Sequence, residues 1–209
     1  MNFLSNILAG FPSFDNFLPA TALVAILIFL VREYVEGRRR KSTDARKVLA
    51  LKKVLARDCQ LNYHAIDMLR DAMIEMKEVG VAVDAARLSL SKREAGGYSF
   101  TLTDFKGSYQ GGVLLGIQRE TLLKYLVEIA GLDESLYSKC VIALDGLSEA
   151  DNVYQSLVHG PEKHFPSTDE DYYDSLADYG IGELNDSISG LKGLYFVCTS
   201  SELKQGKLR

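Results

Sequence analysis

The pattern of apolar and polar positions changes character along the chain, and each change marks an element. From Asn16 to Val31 there are sixteen uncharged residues, and the inner part, Ala20 to Val31, is apolar on every side rather than along one stripe. A helix of that kind is buried all round. A bilayer core of ~30 Å takes ~20 residues at ~1.5 Å each, so the run is slightly short unless Arg32 reaches back to the interface, or Phe14 and Tyr34 extend its ends. A soluble core helix is the competing reading, but it does not explain the abrupt charge step at Arg32. A cleaved signal peptide would carry its basic residues before the apolar run. Here they come after it, so the pattern predicts a retained transmembrane helix. Ahead of it, Met1 to Phe17 carries Phe3, Leu4, Ile7, Leu8, Phe11, Phe14 and Phe17, an arm suited to the outer interface.

Beyond the span, Ser42 or Thr43 is placed to cap a helix beginning near Asp44, with no Gly or Pro before Gly80. Along it Val48, Leu51, Leu55, Cys59, Asn62, Ile66, Leu69, Met73 and Met76 recur at intervals of three and four, a coiled-coil-like seam with Asn62 at a register-selecting position. The same stripe also suits an amphipathic helix packed on its own domain. Near-alternation over Val81 to Lys92 and over Tyr98 to Phe105, across a turn at Arg93 to Gly97, predicts a β-hairpin. Gly107 to Gly116 reads as a glycine-rich loop without the Lys-Ser/Thr of a phosphate cradle. Helical spacing resumes over Ile117 to Ala130 and over Glu134 to Val158, with Gly146 a weak point and Gly160-Pro161 a break. Further helices are expected over Asp169 to Tyr179 and Glu183 to Lys204. The fold class is therefore mainly α: an N-terminal transmembrane helix, a long cytoplasmic helix, a β-hairpin and a helical distal lobe. Its parts are residues 1–36, the arm and span; 37–80, a basic collar and association helix; and 81–209, the hairpin and lobe.

Charge sharpens this layout. The total over 209 residues is only -4, but residues 32–57 carry ten Lys or Arg against three acids, and residues 133–186 carry thirteen acids against two Lys. By the positive-inside rule the basic end stays inside, which predicts a single-pass anchor with its N-terminus outside and its C-terminal domain cytoplasmic. The collar residues Arg38, Arg39, Arg40 and Lys41, with Arg46, Lys47 and Lys53, suit anionic lipid headgroups. In a ring of subunits the same residues would concentrate enough positive field to hold an anionic nucleotide or oligonucleotide.

Catalytic and metal chemistry find little support. Cys59, Cys140 and Cys198 are odd in number and widely spaced, which excludes a disulfide framework and a zinc ribbon and predicts buried reduced thiols. His159 and His164 flank a Gly-Pro turn near Asp169 and Asp171, without helical metal-ligand spacing. Nucleophile elbows, HExxH and dinucleotide fingerprints are absent. No enzyme, cofactor or metal is expected.

On Leu18 to Val31, Arg38 to Lys41 and the seam from Val48 to Met76, the chain resembles the short single-pass membrane effectors of bacterial antiviral systems, the membrane partner of Hailong-type systems being one example. The resemblance covers about the first eighty residues and transfers no functional residue. It implies a soluble lobe that senses an infection signal and oligomerised membrane helices that alter permeability; in Hailong-type systems control comes from a nucleotidyltransferase product. The expected function is a homo-oligomeric effector or ion channel, with Leu23, Ile26, Leu27 and Leu30 at the membrane pathway and Leu55, Asn62, Ile66 and Leu69 on the subunit seam. With only Thr21 polar in the span, the available gate is a dewetting constriction. The alternative is an anchored adaptor whose acidic lobe binds a protein partner.

Overall fold

A computed structural model describes residues 20–79, 87–103, 106–107, 109–163 and 169–204. The N-terminal arm, the basic end after Lys204, and His164 lie outside the described residues. Among those described there are four helices and one antiparallel sheet, in the order α1 (Ala20–Val79), β1 (Arg87–Lys92), β2 (Tyr98–Thr103), β3 (Tyr109–Leu114), α2 (Glu120–Leu132), α3 (Glu134–Lys163) and α4 (Asp169–Thr199). The chain divides between Lys47 and Val48 into two units. The second half of α1 packs as part of the second unit's core.

The expected helix start at Ser42 or Thr43 is not found, since α1 runs through both. Thr43 Oγ1 donates to the carbonyl of Arg39, 2.9 Å away and one turn back, instead of capping a new N-terminus. Gly37 interrupts nothing, because only a proline or an accumulation of weak formers would outweigh the hydrogen bonds on both sides.

The second unit is built round one core. Leu51, Leu55, Ile66, Leu69 and Met73 of α1 bury against Leu136, Leu147 and Leu157 of α3 and Leu184, Leu191 and Leu194 of α4. α2 joins α3 through Asp133, whose Oδ1 accepts from Leu136 N–H at 2.9 Å and caps the longer helix.

Gly146, expected as a weak point, Gly160, expected in a break, and Gly180, between two expected helices, all lie at helix contacts. At Gly146 an added Cβ would lie 2.9 Å from Ser187 Cα, and Ser187 Oγ donates to Gly146 O at 2.6 Å. Gly160 faces the ring and hydroxyl of Tyr172, and α3 continues past it to Lys163. Gly180 lies where a Cβ would be 3.0 Å from Val153 Cγ1, and α4 is one helix where two were expected.

The expected hairpin is a three-stranded sheet in the order β1-β2-β3. Gly107 to Gly116 is not all loop, because β3 occupies Tyr109–Leu114 and pairs Gly112 with Phe100. The reason is steric. A Cβ on Gly112 would lie 2.8 Å from Phe100 Cε1, so the missing side chain makes room for the aromatic ring to cover the strand. Phe100, Leu102 and Leu114 anchor the inner face, and Ser99 and Thr101 lie on the other.

Candidate functional site

The apolar rod and collar lie together on the first unit's helix. Leu23, Ile26, Leu27 and Leu30 are 47%, 49%, 60% and 56% exposed, and Val24, Ile28, Phe29 and Val31 are also open, so every side of the helix presents hydrocarbon. The helix follows from a run without Gly or Pro and rich in Ala and Leu; its exposure arises because none of the described residues of that unit covers it. Among the described residues no helix is long and apolar enough to cross a membrane. Arg32 and Glu33 end the run, leaving Ala20 to Val31, ~18 Å of helix at the standard rise. The full transmembrane span expected from the sequence is thus corrected to a shorter apolar segment within the described chain.

Arg38 places its guanidinium 5.0 Å from the centroid of the Tyr34 ring, and Arg40 pairs with Glu36 at 3.2 Å. Both contacts are exposed, so they orient the side chains more than they stabilise the helix. Arg39, Lys41, Arg46 and Lys47 also face solvent. Arg32, Arg39 and Arg46 stand seven residues apart and form a stripe down one side. Lys53 belongs to the lobe's unit, where it too is exposed.

The seam is placed differently from its subunit-contact reading. Leu55, Ile66 and Leu69 are fully buried and Asn62 is 1% exposed, all inside this chain's own lobe. Asn62 bonds within its own chain. Its Nδ2 donates to Gln118 O and its Oδ1 accepts from Gln118 N–H, both at 2.8 Å, which ties the segment before α2 to α1. A second bond from Nδ2 to Asp58 O, 3.2 Å, completes its amide.

Asp58, one turn before Asn62, is 5% exposed and its Oδ2 has no hydrogen-bond partner. Burial pushes its carboxyl above the ordinary range; a hydrogen bond with Thr121 opposes this and the charge of Glu120 adds to it. The sequence offers only a weak signal for this residue, an acid beside the apolar stripe.

Three cysteines from α1, α3 and α4 fall close enough to influence one another's ionisation. Burial drives Cys59 far above the usual thiol range, Cys140 to about 12 and Cys198 to about 11, the last partly offset by Lys52. These are protonated core thiols and poor nucleophiles. Among the described residues no group of three or more His, Cys, Asp or Glu has an arrangement that could hold a metal ion. His159 packs edge-on to the Tyr98 ring with centroids 6.2 Å apart.

Between α3 and α4, Asp145, Glu149, Glu183 and Asp186 line a surface groove of about 390 Å³ beside the exposed Ile142. Composition shows the excess of acids in this region, but only the crossing of the two helices gathers these four.

Comparison with family models, curated proteins and solved structures gives no match to this chain.

Proposed function

We propose that this protein is a membrane-anchored effector that self-associates and acts as an ion channel under the control of its helical lobe. The observation that carries the reading is the exposed, all-round apolar surface from Leu23 to Val31, followed two turns on by the collar Arg38 to Lys41. Water is a poor solvent for such a surface, since a fully buried Leu or Ile gains about 1.5–3 kcal/mol over an exposed one. Hydrocarbon is the environment that accommodates every side of it, and anionic headgroups accommodate the basic collar. The described ~18 Å is short of a ~30 Å bilayer core, so a crossing requires residues before Ala20, where the sequence stays uncharged back to Asn16. The likeness in plan to single-pass antiviral effectors is the reason to propose the bacterial inner membrane, a cytoplasmic lobe and a nucleotide or oligonucleotide as a ligand of clustered collars. One span encloses no pore, so the reading requires several copies.

The acidic groove between α3 and α4 favours a second reading, an anchored adaptor that binds a basic protein segment through Asp145, Glu149, Glu183 and Asp186.

Reconstitution of the full chain into liposomes separates the two. The channel reading expects the protein to float with the lipid, resist alkaline extraction and release trapped potassium, with Leu27→Arg abolishing all three. Flotation without release, whatever nucleotide is added, supports the adaptor. Protein left in the aqueous fraction defeats both.

A further inference from the structure

With the seam consumed inside the lobe, self-association needs another surface, and the sheet has one. β1 and β3 are its edges, since only β2 has neighbours on both sides among the described residues. A free edge presents a row of backbone donors and acceptors and is a template for another strand unless charges, proline or a bulge blunt it. β1 is blunted, because Arg87 and Lys92 stand at its two ends and would face one another in an antiparallel pair of β1 strands. β3, Tyr-Gln-Gly-Gly-Val-Leu, has no charge and no proline, and its Gln110 and Gly111 are exposed.

The direction of the free groups can be read from the sheet. Arg93 N–H donates to Gly97 O at the turn, so hydrogen-bonded and non-hydrogen-bonded pairs alternate outward from there. Along β2 this turns the backbone groups of Tyr98, Phe100 and Leu102 toward β3 and those of Ser99 and Thr101 toward β1. Two close approaches agree: Phe100 O lies 2.8 Å from where a Gly111 Cβ would be, and Leu114 O lies against the Cβ position of Gly97. Their partners Leu114, Gly112 and Gln110 therefore bond inward to β2, and the N–H and C=O of Tyr109, Gly111 and Val113 point out of the sheet.

We propose that β3 pairs antiparallel with β3 of a second copy of this chain, about a two-fold axis at Gly111, joining two three-stranded sheets into one. Residues that face one another across such a pair lie on the same side of the sheet, and the outward groups belong to 109, 111 and 113. Both conditions set the register Tyr109 opposite Val113 of the second copy and Gly111 opposite Gly111, each exchanging backbone hydrogen bonds. Glycine at the axis leaves the approach of the two backbones open. The pairing supplies the dimeric unit that the membrane reading needs and rests on that reading for its purpose, though not for its geometry.

The test is the particle mass of the full chain in detergent by light scattering. Wild type gives a dimer or an even multiple of it. The double variant Tyr109→Lys with Val113→Lys sets like charges opposite one another in both outer pairs and halves the mass, whereas Tyr109→Glu with Val113→Lys sets opposite charges and restores it. Should the double-lysine variant lose its circular dichroism, Val113→Pro, which removes one outward N–H at an edge position that tolerates proline, halves the mass instead. A monomeric wild type, or a folded variant of either blocking kind with the wild-type mass, overturns the pairing. These readouts are separate from flotation, so the pairing and the membrane reading fail in different experiments.

Discussion

At the scale of single residues, two polar side chains on the buried face of α1 have opposite consequences. Asn62 satisfies its amide with backbone groups of Gln118 and Asp58, so its burial is compensated. Asp58 leaves one carboxylate oxygen without a partner, which costs about 1–3 kcal/mol for a buried polar group. Its carboxyl is raised above 3.8, mainly by desolvation. For an acid raised in the folded state, the associated stability is fully present below the unfolded pKa and is lost as pH rises through the folded one. Asp58→Asn keeps an acceptor for Thr121 and removes the charge. The expected result is a melting temperature higher by roughly 3 °C or more at pH 7.5, with the gain gone at pH 4. Thermal melts of both proteins at the two pH values check this, and an equal gain at both would assign the effect to something other than titration.

Among the elements, glycine carries the clearest difference between pattern and structure. In sequence Gly146, Gly160 and Gly180 look like helix punctuation, because a glycine inside a helix costs about 1 kcal/mol against alanine. In the fold each lies where another element comes close. The small residue permits the α3–α4 contact at Ser187 and the approach of Met73 and Val153 to α4, and burial there offsets the propensity lost. Gly182, in the same α4 helix, has nothing within 4 Å of an added Cβ. The two kinds of site should respond in opposite directions. Gly182→Ala is expected to stabilise by about 0.5–1 kcal/mol, and Gly146→Ala to destabilise by about 1–3 kcal/mol as Ser187 is pushed away. Urea denaturation of each variant measures both signs. The same logic applies to β3, whose Gly111 and Gly112 conceal a strand from any reading based on residue preference.

For the whole molecule, positive charge is concentrated in the collar although the chain as a whole is acidic. The chain is acidic overall, at -4, yet Arg38, Arg39, Arg40 and Lys41 occupy consecutive positions and so surround α1. Such a collar attracts anionic lipid over about one Debye length and loses that attraction in salt. Replacing all four by alanine is expected to lower initial association with phosphatidylserine vesicles by roughly tenfold or more at low salt and to flatten its salt dependence. Association with neutral vesicles should not change. Cosedimentation at 50 and 500 mM salt reads both effects, and an unchanged salt profile would show that the collar is not the contact.

Helical content, the apolar rod and the basic collar were legible in the order of residues, because each depends on neighbours within a few positions; the continuity of α1 through Ser42 and Thr43 was not, because a Ser or Thr that can cap a helix can equally bond one turn back inside one. The stripe from Val48 to Met76 was legible as a buried face, but its partner was not. A three-and-four repeat specifies that one side of a helix leaves water and is silent on whether a second subunit or the same chain covers it. Here α3 and α4 cover it, and Asn62 holds a backbone segment fifty-six residues away. The convergence of Cys59, Cys140 and Cys198, the acidic groove, the close fit at Gly146 and the third strand under Phe100 likewise exist only after distant segments meet. Local spacing governs which surfaces must be hidden or solvated; the packing of remote elements decides what hides them.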